Sequence, residues 1–132
     1  MHEWALAEGI ISTALDYGTK HGAKRIEEVV VVLGELQDID REIVEFALNQ
    51  LKEGTIAEGA KFTFQEEKAI FKCRNCGHQW DLKSGDSIEE YREDIHFVPE
   101  AVHAFLKCPK CGSRDFEVIS GRGVYIKELR VR

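Results

Sequence analysis

The sequence repeats one short pattern, CRNCG at residues 73–77 and CPKCG at residues 108–112. These two stretches hold all four cysteines of the chain. In a reducing compartment, two C-x-x-C pairs are more typical of a metal site than of two disulfides. Four thiolates form a closed tetrahedral shell, so we expect a structural zinc ion bound by Cys73, Cys76, Cys108 and Cys111. A closed shell leaves no position for water, which argues against a catalytic zinc.

Each pattern predicts a tight turn, here called a knuckle, that carries two of the ligands. Gly77 and Gly112 follow the cysteine pairs, where the chain leaves the turn with positive φ. Residues 77–107 separate the pairs, more than the ~15–20 residues of the usual zinc pattern. The loop must therefore hold structure of its own, and we expect a zinc-ribbon domain over residues 69–118.

The first seventy residues predict the order helix, strand, helix, strand. Residues 4–21 show helical spacing of apolar side chains, and residues 25–36 contain an unbroken apolar run that indicates a buried strand. A second helix over 41–52 has Asp40 as its predicted N-cap. Its predicted buried stripe is Ile43, Val44, Ala47, Leu48 and Leu51. Residues 60–67 alternate in hydrophobicity and predict another strand.

A last strand, predicted over residues 124–131, has no place in a zinc ribbon. Two strands make a poor sheet, so we expect this strand to return and complete a three-stranded sheet with two helices packed on it. The predicted fold class is α+β, with one domain formed by residues 1–68 and 119–132. The zinc-ribbon domain is inserted into it.

Composition narrows the function classes. The 132 residues contain 18 Lys plus Arg against 24 Asp plus Glu, a formal net charge of −6. That balance disfavours nucleic acid as a partner, because phosphate binding needs basic surface. The longest apolar run is far shorter than the ~20 residues of a membrane span, and the N-terminus lacks the features of a secretory signal. We therefore expect a cytoplasmic protein that binds neither membranes nor nucleic acid.

The N-terminus, Met1-His2-Glu3, is chemically unusual. The Met1 amine, the His2 amide and the His2 imidazole can close a five-membered and a six-membered chelate ring. Nitrogen ligands of this kind suit Ni(II) or Cu(II), and Glu3 or a distant histidine could complete the plane. The alternative is a polar histidine on a frayed terminus. His96, in the long loop, is the first candidate histidine for the remaining position, and His103 is the weaker one. The alternative is that His96 is a half-buried side chain among apolar neighbours.

Taken together, these features resemble one family. The chain resembles the HypA/HybF family of hydrogenase nickel-insertion accessory proteins. The resemblance rests on the N-terminal tripeptide, the helix–strand–helix–strand order, the segment VLGEL at residues 32–36 and the two late cysteine pairs. The resemblance covers essentially the whole chain. The long insert between the pairs resembles the archaeal form of the family.

The resemblance implies a specific function. It implies a nickel metallochaperone that delivers Ni(II) to the large-subunit precursor of a nickel–iron hydrogenase, with help from a HypB-type GTPase. Nickel would bind at Met1 and His2, with Glu3 as a neighbour or further ligand, and the cysteine site would hold structural zinc. The first domain would then be the nickel-binding domain.

Two other function classes compete with this interpretation. The zinc ribbon could serve as a protein-interaction or nucleic-acid-binding module, with Lys107, Lys110 and Arg114 as a small basic patch. The negative net charge and the lack of interleaved aromatic and basic residues weigh against it. No nucleophile–base pairing, phosphate loop or open metal site is recognisable, so we do not expect an enzyme.

Overall fold

The structure, a computed structural model, describes residues 3–82 and 102–132. The first half contains α1 (Glu3–Lys20), β1 (Ile26–Gly34), a short 3-10 turn (Glu35–Gln37), α2 (Arg41–Leu51) and β2 (Lys61–Glu67). The second half contains β3 (Ile70–Cys73), β4 (Gln79–Asp81), α3 (Val102–Phe105), β5 (Phe116–Ser120) and β6 (Val124–Val131). No helix within the described ranges is long and apolar enough to cross a membrane.

The strands form two three-stranded sheets. One sheet has the order β2-β1-β6, and the other has the order β4-β3-β5. The predicted return of the last strand to the first sheet is therefore confirmed, as is the α+β class. The described residues form two compact units, the helix unit (3–32, 39–65 and 124–132) and the cysteine unit (33–38, 66–82 and 102–123).

The sheet of the helix unit is joined through its central strand. Glu28 on β1 accepts a hydrogen bond from the Thr63 hydroxyl at 2.9 Å, and its other carboxylate oxygen lies 2.9 Å from an Arg130 nitrogen. One side chain thus contacts both neighbouring strands. The end of β6 is also fixed, because Arg132 exchanges backbone hydrogen bonds with Arg25.

The two long helices bury most of the positions that helical spacing predicts, but on α2 Leu51 is only half-buried and Ile43 is exposed. Helix α1 buries Ala7, Ile10, Ile11 and Ala14, and α2 buries Val44, Ala47 and Leu48. The Asp40 N-cap is confirmed, since its carboxylate accepts from the Ile43 N–H at 3.3 Å. The expected burial of Ile43 is wrong, because its side chain is 42% exposed. Helix α2 therefore buries fewer side chains than its apolar pattern predicts.

The first strand ends two residues earlier than predicted. Residues 35–37 form the 3-10 turn, and Asp38 follows with φ 47°. This turn belongs to the cysteine unit, where the Leu36 side chain is 2% exposed in the apolar core. The Glu35 carboxylate accepts a hydrogen bond from the Ala69 N–H at 2.8 Å, and the Gln37 amide donates to the Arg122 carbonyl. The turn is therefore held by packing and by hydrogen bonds within that unit.

Candidate metal sites

Four cysteine side chains converge in the cysteine unit. The Sγ atoms of Cys73, Cys76, Cys108 and Cys111 all lie within 4.8 Å of one another. Cys73 and Cys111 approach to 3.5 Å and Cys76 and Cys108 to 3.6 Å between sulfur atoms, and all four are free thiols. A zinc–sulfur distance of about 2.3 Å gives a tetrahedron with sulfur–sulfur edges of about 3.8 Å. The spacing of the four thiols therefore fits a zinc ion.

The two knuckles build this site with nearly the same hydrogen bonds. In the first knuckle the Cys76 N–H donates to Cys73 Sγ at 3.4 Å, and in the second the Cys111 N–H donates to Cys108 Sγ at 3.5 Å. The predicted positive φ is confirmed at Gly77 (79°) and at Gly112 (78°). The matching geometry aims one buried and one exposed thiol from each knuckle at the same point.

Backbone and side-chain donors favour the thiolate form of Cys111 but do not do so for Cys76. The backbone N–H of Ser113 lowers the pKa of Cys111 to about 6, and the Asn75 amide, 3.6 Å from the sulfur, acts in the same direction. At Cys76 the backbone N–H of His78 also lowers the pKa. Desolvation and the three neighbouring thiols outweigh that effect, and the pKa rises to about 11. With all four cysteines ionised, the site would need a cation, and a divalent ion that prefers sulfur would supply it.

The two arginines beside the knuckles, Arg74 and Arg114, are engaged in structural contacts. The Arg74 guanidinium forms an ion pair with Asp115 at 3.0 Å. The Arg114 guanidinium donates to the carbonyls of Ala104 at 3.1 Å and Leu106 at 3.4 Å. The contacts of Arg114 fix the second knuckle to the segment that precedes it. They weaken the case for Arg114 as part of a nucleic-acid-binding patch.

An aromatic core lies behind the cysteines. The ring centroids of Phe71, Trp80 and Phe116 are 5.3–5.5 Å from one another, in tilted or edge-to-face contacts. Both buried cysteines, Cys73 and Cys108, belong to the same apolar cluster. The site therefore has a rigid apolar wall on one side, as expected of a structural metal centre.

Two histidines of the cysteine unit, His78 and His103, are engaged in ring contacts. His103 stacks on Phe116 with 4.2 Å between centroids, and His78 lies parallel to Trp80 at 6.1 Å. Neither belongs to the group of candidate ligands that the described residues bring together. Leu36 is the component of this site that sequence reasoning missed. The segment VLGEL at residues 32–36 contains Leu36, but its apolar pattern predicts the end of a strand.

The predicted nickel site is represented in the described residues only by Glu3. Its carboxylate accepts a hydrogen bond from the backbone N–H of Asp40 at 3.0 Å. Met1, His2 and His96 lie outside the described residues, so their predicted role stays a prediction. Glu3 begins α1, and the contact fixes that end of the helix beside the start of α2.

Comparison with known proteins gives a consistent result. Residues 1–131 match the model of a family described as "Hydrogenase/urease nickel incorporation, metallochaperone, hypA". "Hydrogenase maturation factor HypA" from Thermococcus onnurineus is 62% identical over 99% of this chain and 96% of its own length. The factor of the same name from Pyrococcus furiosus is also 62% identical, with the same coverage. That from Methanopyrus kandleri is 37% identical over 99% of this chain and 93% of its own length.

A solved structure resembles the fold. The solution structure of the nickel metallochaperone HypA from Helicobacter pylori matches with a TM-score of 0.66 and 22% sequence identity. The match covers 99% of this chain and 97% of the other. At this identity the likeness concerns the fold alone.

Proposed function

The chain belongs to the HypA family of nickel-incorporation metallochaperones, and we propose that it carries Ni(II) to the large-subunit precursor of a nickel–iron hydrogenase. The family match over residues 1–131 is the observation that carries this conclusion. Its role in hydrogenase maturation is that of a nickel carrier, which is not a catalytic role. The finer assignments below concern ligands, domains and partners.

We propose that nickel binds at the N-terminus of the chain. The ligands are the Met1 amine, the His2 amide nitrogen and the His2 imidazole, a set that suits the nitrogen-rich, planar coordination of Ni(II). Glu3 and His96 are candidates for the remaining position. The contact between Glu3 and the Asp40 N–H supports the proposal, because it fixes the first turn of α1 directly after these ligands.

We propose that zinc is held by Cys73, Cys76, Cys108 and Cys111 as a structural ion. The convergence of the thiols and their N–H donors supports this assignment. A filled sulfur shell leaves no position for cargo, so zinc and nickel occupy separate sites. We assign nickel to a domain of residues 1–68 and 119–132, and zinc to a domain of residues 69–118.

Release of nickel follows from the ligand chemistry. Protons compete with the metal for the Met1 amine and the His2 imidazole, so affinity falls as the pH falls. An acceptor with a more complete set of ligands then takes the ion by mass action. We propose that this acceptor is the hydrogenase large-subunit precursor and that a HypB-type GTPase assists. Free thiols fit a reducing compartment, and we place the process in the cytoplasm.

The test is a nickel titration of two proteins that differ only at the N-terminus. One has the native start, and the other carries two added residues, Gly-Ser, before Met1. We expect the added residues to weaken nickel binding strongly, because the Met1 amine becomes an amide, and to leave zinc content unchanged. Equal nickel affinity in the two proteins would contradict an amine ligand.

A further inference from the structure

An exposed apolar patch lies on the helix unit, formed by Trp4 on α1 and by Ile43 and Phe46 on α2. The three side chains are 38%, 42% and 59% exposed. The rings of Trp4 and Phe46 meet edge to face, with 6.2 Å between centroids and 79° between planes. We call these three residues the aromatic patch.

The core of the helix unit does not require the aromatic patch. Helix α2 completely buries the stripe formed by Val44, Ala47 and Leu48. Ile43 and Phe46 are one turn apart beside that stripe and remain in solvent. Large aromatic side chains held rigidly at a surface are typical of protein interfaces, where they supply most of the binding energy.

The border of the aromatic patch is acidic. Glu3 and Asp40 lie at the ends of α1 and α2 that meet, and Glu42 precedes Phe46 by one helical turn. Arg41, at the start of α2, is already engaged, because it pairs with Glu45 at 3.5 Å and lies 5.2 Å over the Phe64 ring. An apolar centre with an acidic border fits a partner that has an apolar pocket ringed by lysine or arginine.

The aromatic patch is also close in sequence to the proposed nickel ligands. Trp4 follows His2 by two residues, and two residues span at most about 7 Å. A protein that covers Trp4 therefore brings its own metal ligands within reach of the terminus. A carrier that hands over an ion needs this proximity, since transfer proceeds through ligands supplied by both proteins.

We propose that Trp4, Ile43 and Phe46 form the docking surface for the protein that accepts nickel, which presents an apolar pocket ringed by basic side chains. This inference rests on the proposed function, because it identifies the acceptor as the protein that must approach the N-terminus. Binding is driven by burial of Phe46 and Trp4, and the acidic border sets orientation and association rate.

The experiment measures the binding of three purified variants to the hydrogenase large-subunit precursor from the same organism. Phe46→Ala removes the most exposed ring, and alanine is a good helix former, so α2 should fold. We expect at least about tenfold weaker binding, as for an interface hot spot. Glu42→Lys should slow association and reduce its dependence on salt.

Tyr17→Ala is the matched control for these variants. Tyr17 is 51% exposed on the same helix as Trp4, but thirteen residues and about 20 Å away along its axis. We expect this variant to bind the precursor as the parent does. Circular dichroism and the thermal midpoint establish that each variant is folded.

Three results would overturn the docking surface. The first is that Phe46→Ala binds the precursor as tightly as the parent does. The second is that Phe46→Ala loses affinity for the GTPase partner and not for the precursor. The third is that the parent is a dimer and that Phe46→Ala dissociates it, as measured by sedimentation velocity. Nickel titration of each variant separates this inference from the proposed function. Normal nickel binding with lost precursor binding supports the docking surface, whereas absent nickel binding in the parent contradicts the proposed function itself.

Discussion

The carboxylate of Glu3 accepts a hydrogen bond from the backbone N–H of Asp40, with 3.0 Å between Oε2 and the nitrogen. The two residues are far apart in sequence, and each lies at the start of a long helix. The N–H groups at a helix start lack intrahelical acceptors and attract negative charge. Glu3 therefore joins the start of α1 to the start of α2.

Glu3→Ala should lower the free energy of unfolding by about 1 kcal/mol, because the Asp40 N–H loses its acceptor. Glu3→Gln retains a carbonyl oxygen and should cost less. Urea denaturation monitored by far-ultraviolet circular dichroism measures both variants. An unfolding free energy of Glu3→Ala equal to that of the parent would show that the contact contributes nothing to stability.

Removing zinc should change the environment of Trp80, whose ring packs against Phe71 and Phe116 beside the buried cysteines. In a Trp4→Phe background, Trp80 is the only tryptophan. We expect a chelator to shift its fluorescence to longer wavelength and added zinc to restore it. Acid should act like the chelator, because protons compete with zinc for the thiolates. Emission that stays constant while zinc is removed would contradict a structural role for the ion.

Leu36→Ala should destabilise the cysteine unit by about 2–5 kcal/mol, because it leaves a cavity in a packed apolar core. Denaturation monitored by Trp80 fluorescence, in the same Trp4→Phe background, measures the loss. The matched control is Ile43→Ala, another aliphatic truncation at a side chain that is 42% exposed, where we expect a small effect. If the two variants unfold alike, Leu36 is not part of that core in solution.

His96→Ala tests the fourth nickel ligand. If the long loop supplies this imidazole, we expect about a tenfold or greater loss of nickel affinity, since one of few nitrogen ligands is removed. Isothermal titration with Ni(II) gives the constant, and His21→Ala is the control. The His21 side chain bonds the Tyr17 carbonyl at 2.9 Å at the end of α1. An unchanged constant in His96→Ala would exclude it as a ligand.

Local chemistry predicted the parts of the fold that depend on short stretches of chain. The Asp40 cap is within hydrogen-bonding distance of Ile43, and Gly77 and Gly112 have the positive φ that a knuckle needs. The return of β6 to the first sheet also followed from sequence, because an isolated pair of strands is a poor sheet.

Features that depend on tertiary packing could not be predicted in the same way. Ile43 fits the apolar period of α2 but remains exposed, because the helix buries a narrower stripe than its sequence offers. Leu36 continues an apolar strand in sequence, yet its side chain packs into the cysteine unit, and only the meeting of distant segments reveals this. The contact between Glu3 and Asp40 likewise depends on how two helices pack.

Metal analysis of the purified protein and of His2→Ala tests the central claim most directly. Zinc and nickel are counted after incubation with excess Ni(II) and removal of unbound metal by gel filtration. We predict one zinc and one nickel per chain in the parent, and one zinc without nickel in His2→Ala. Full retention of nickel by His2→Ala, or loss of zinc together with nickel, would contradict separate sites for cargo and structure.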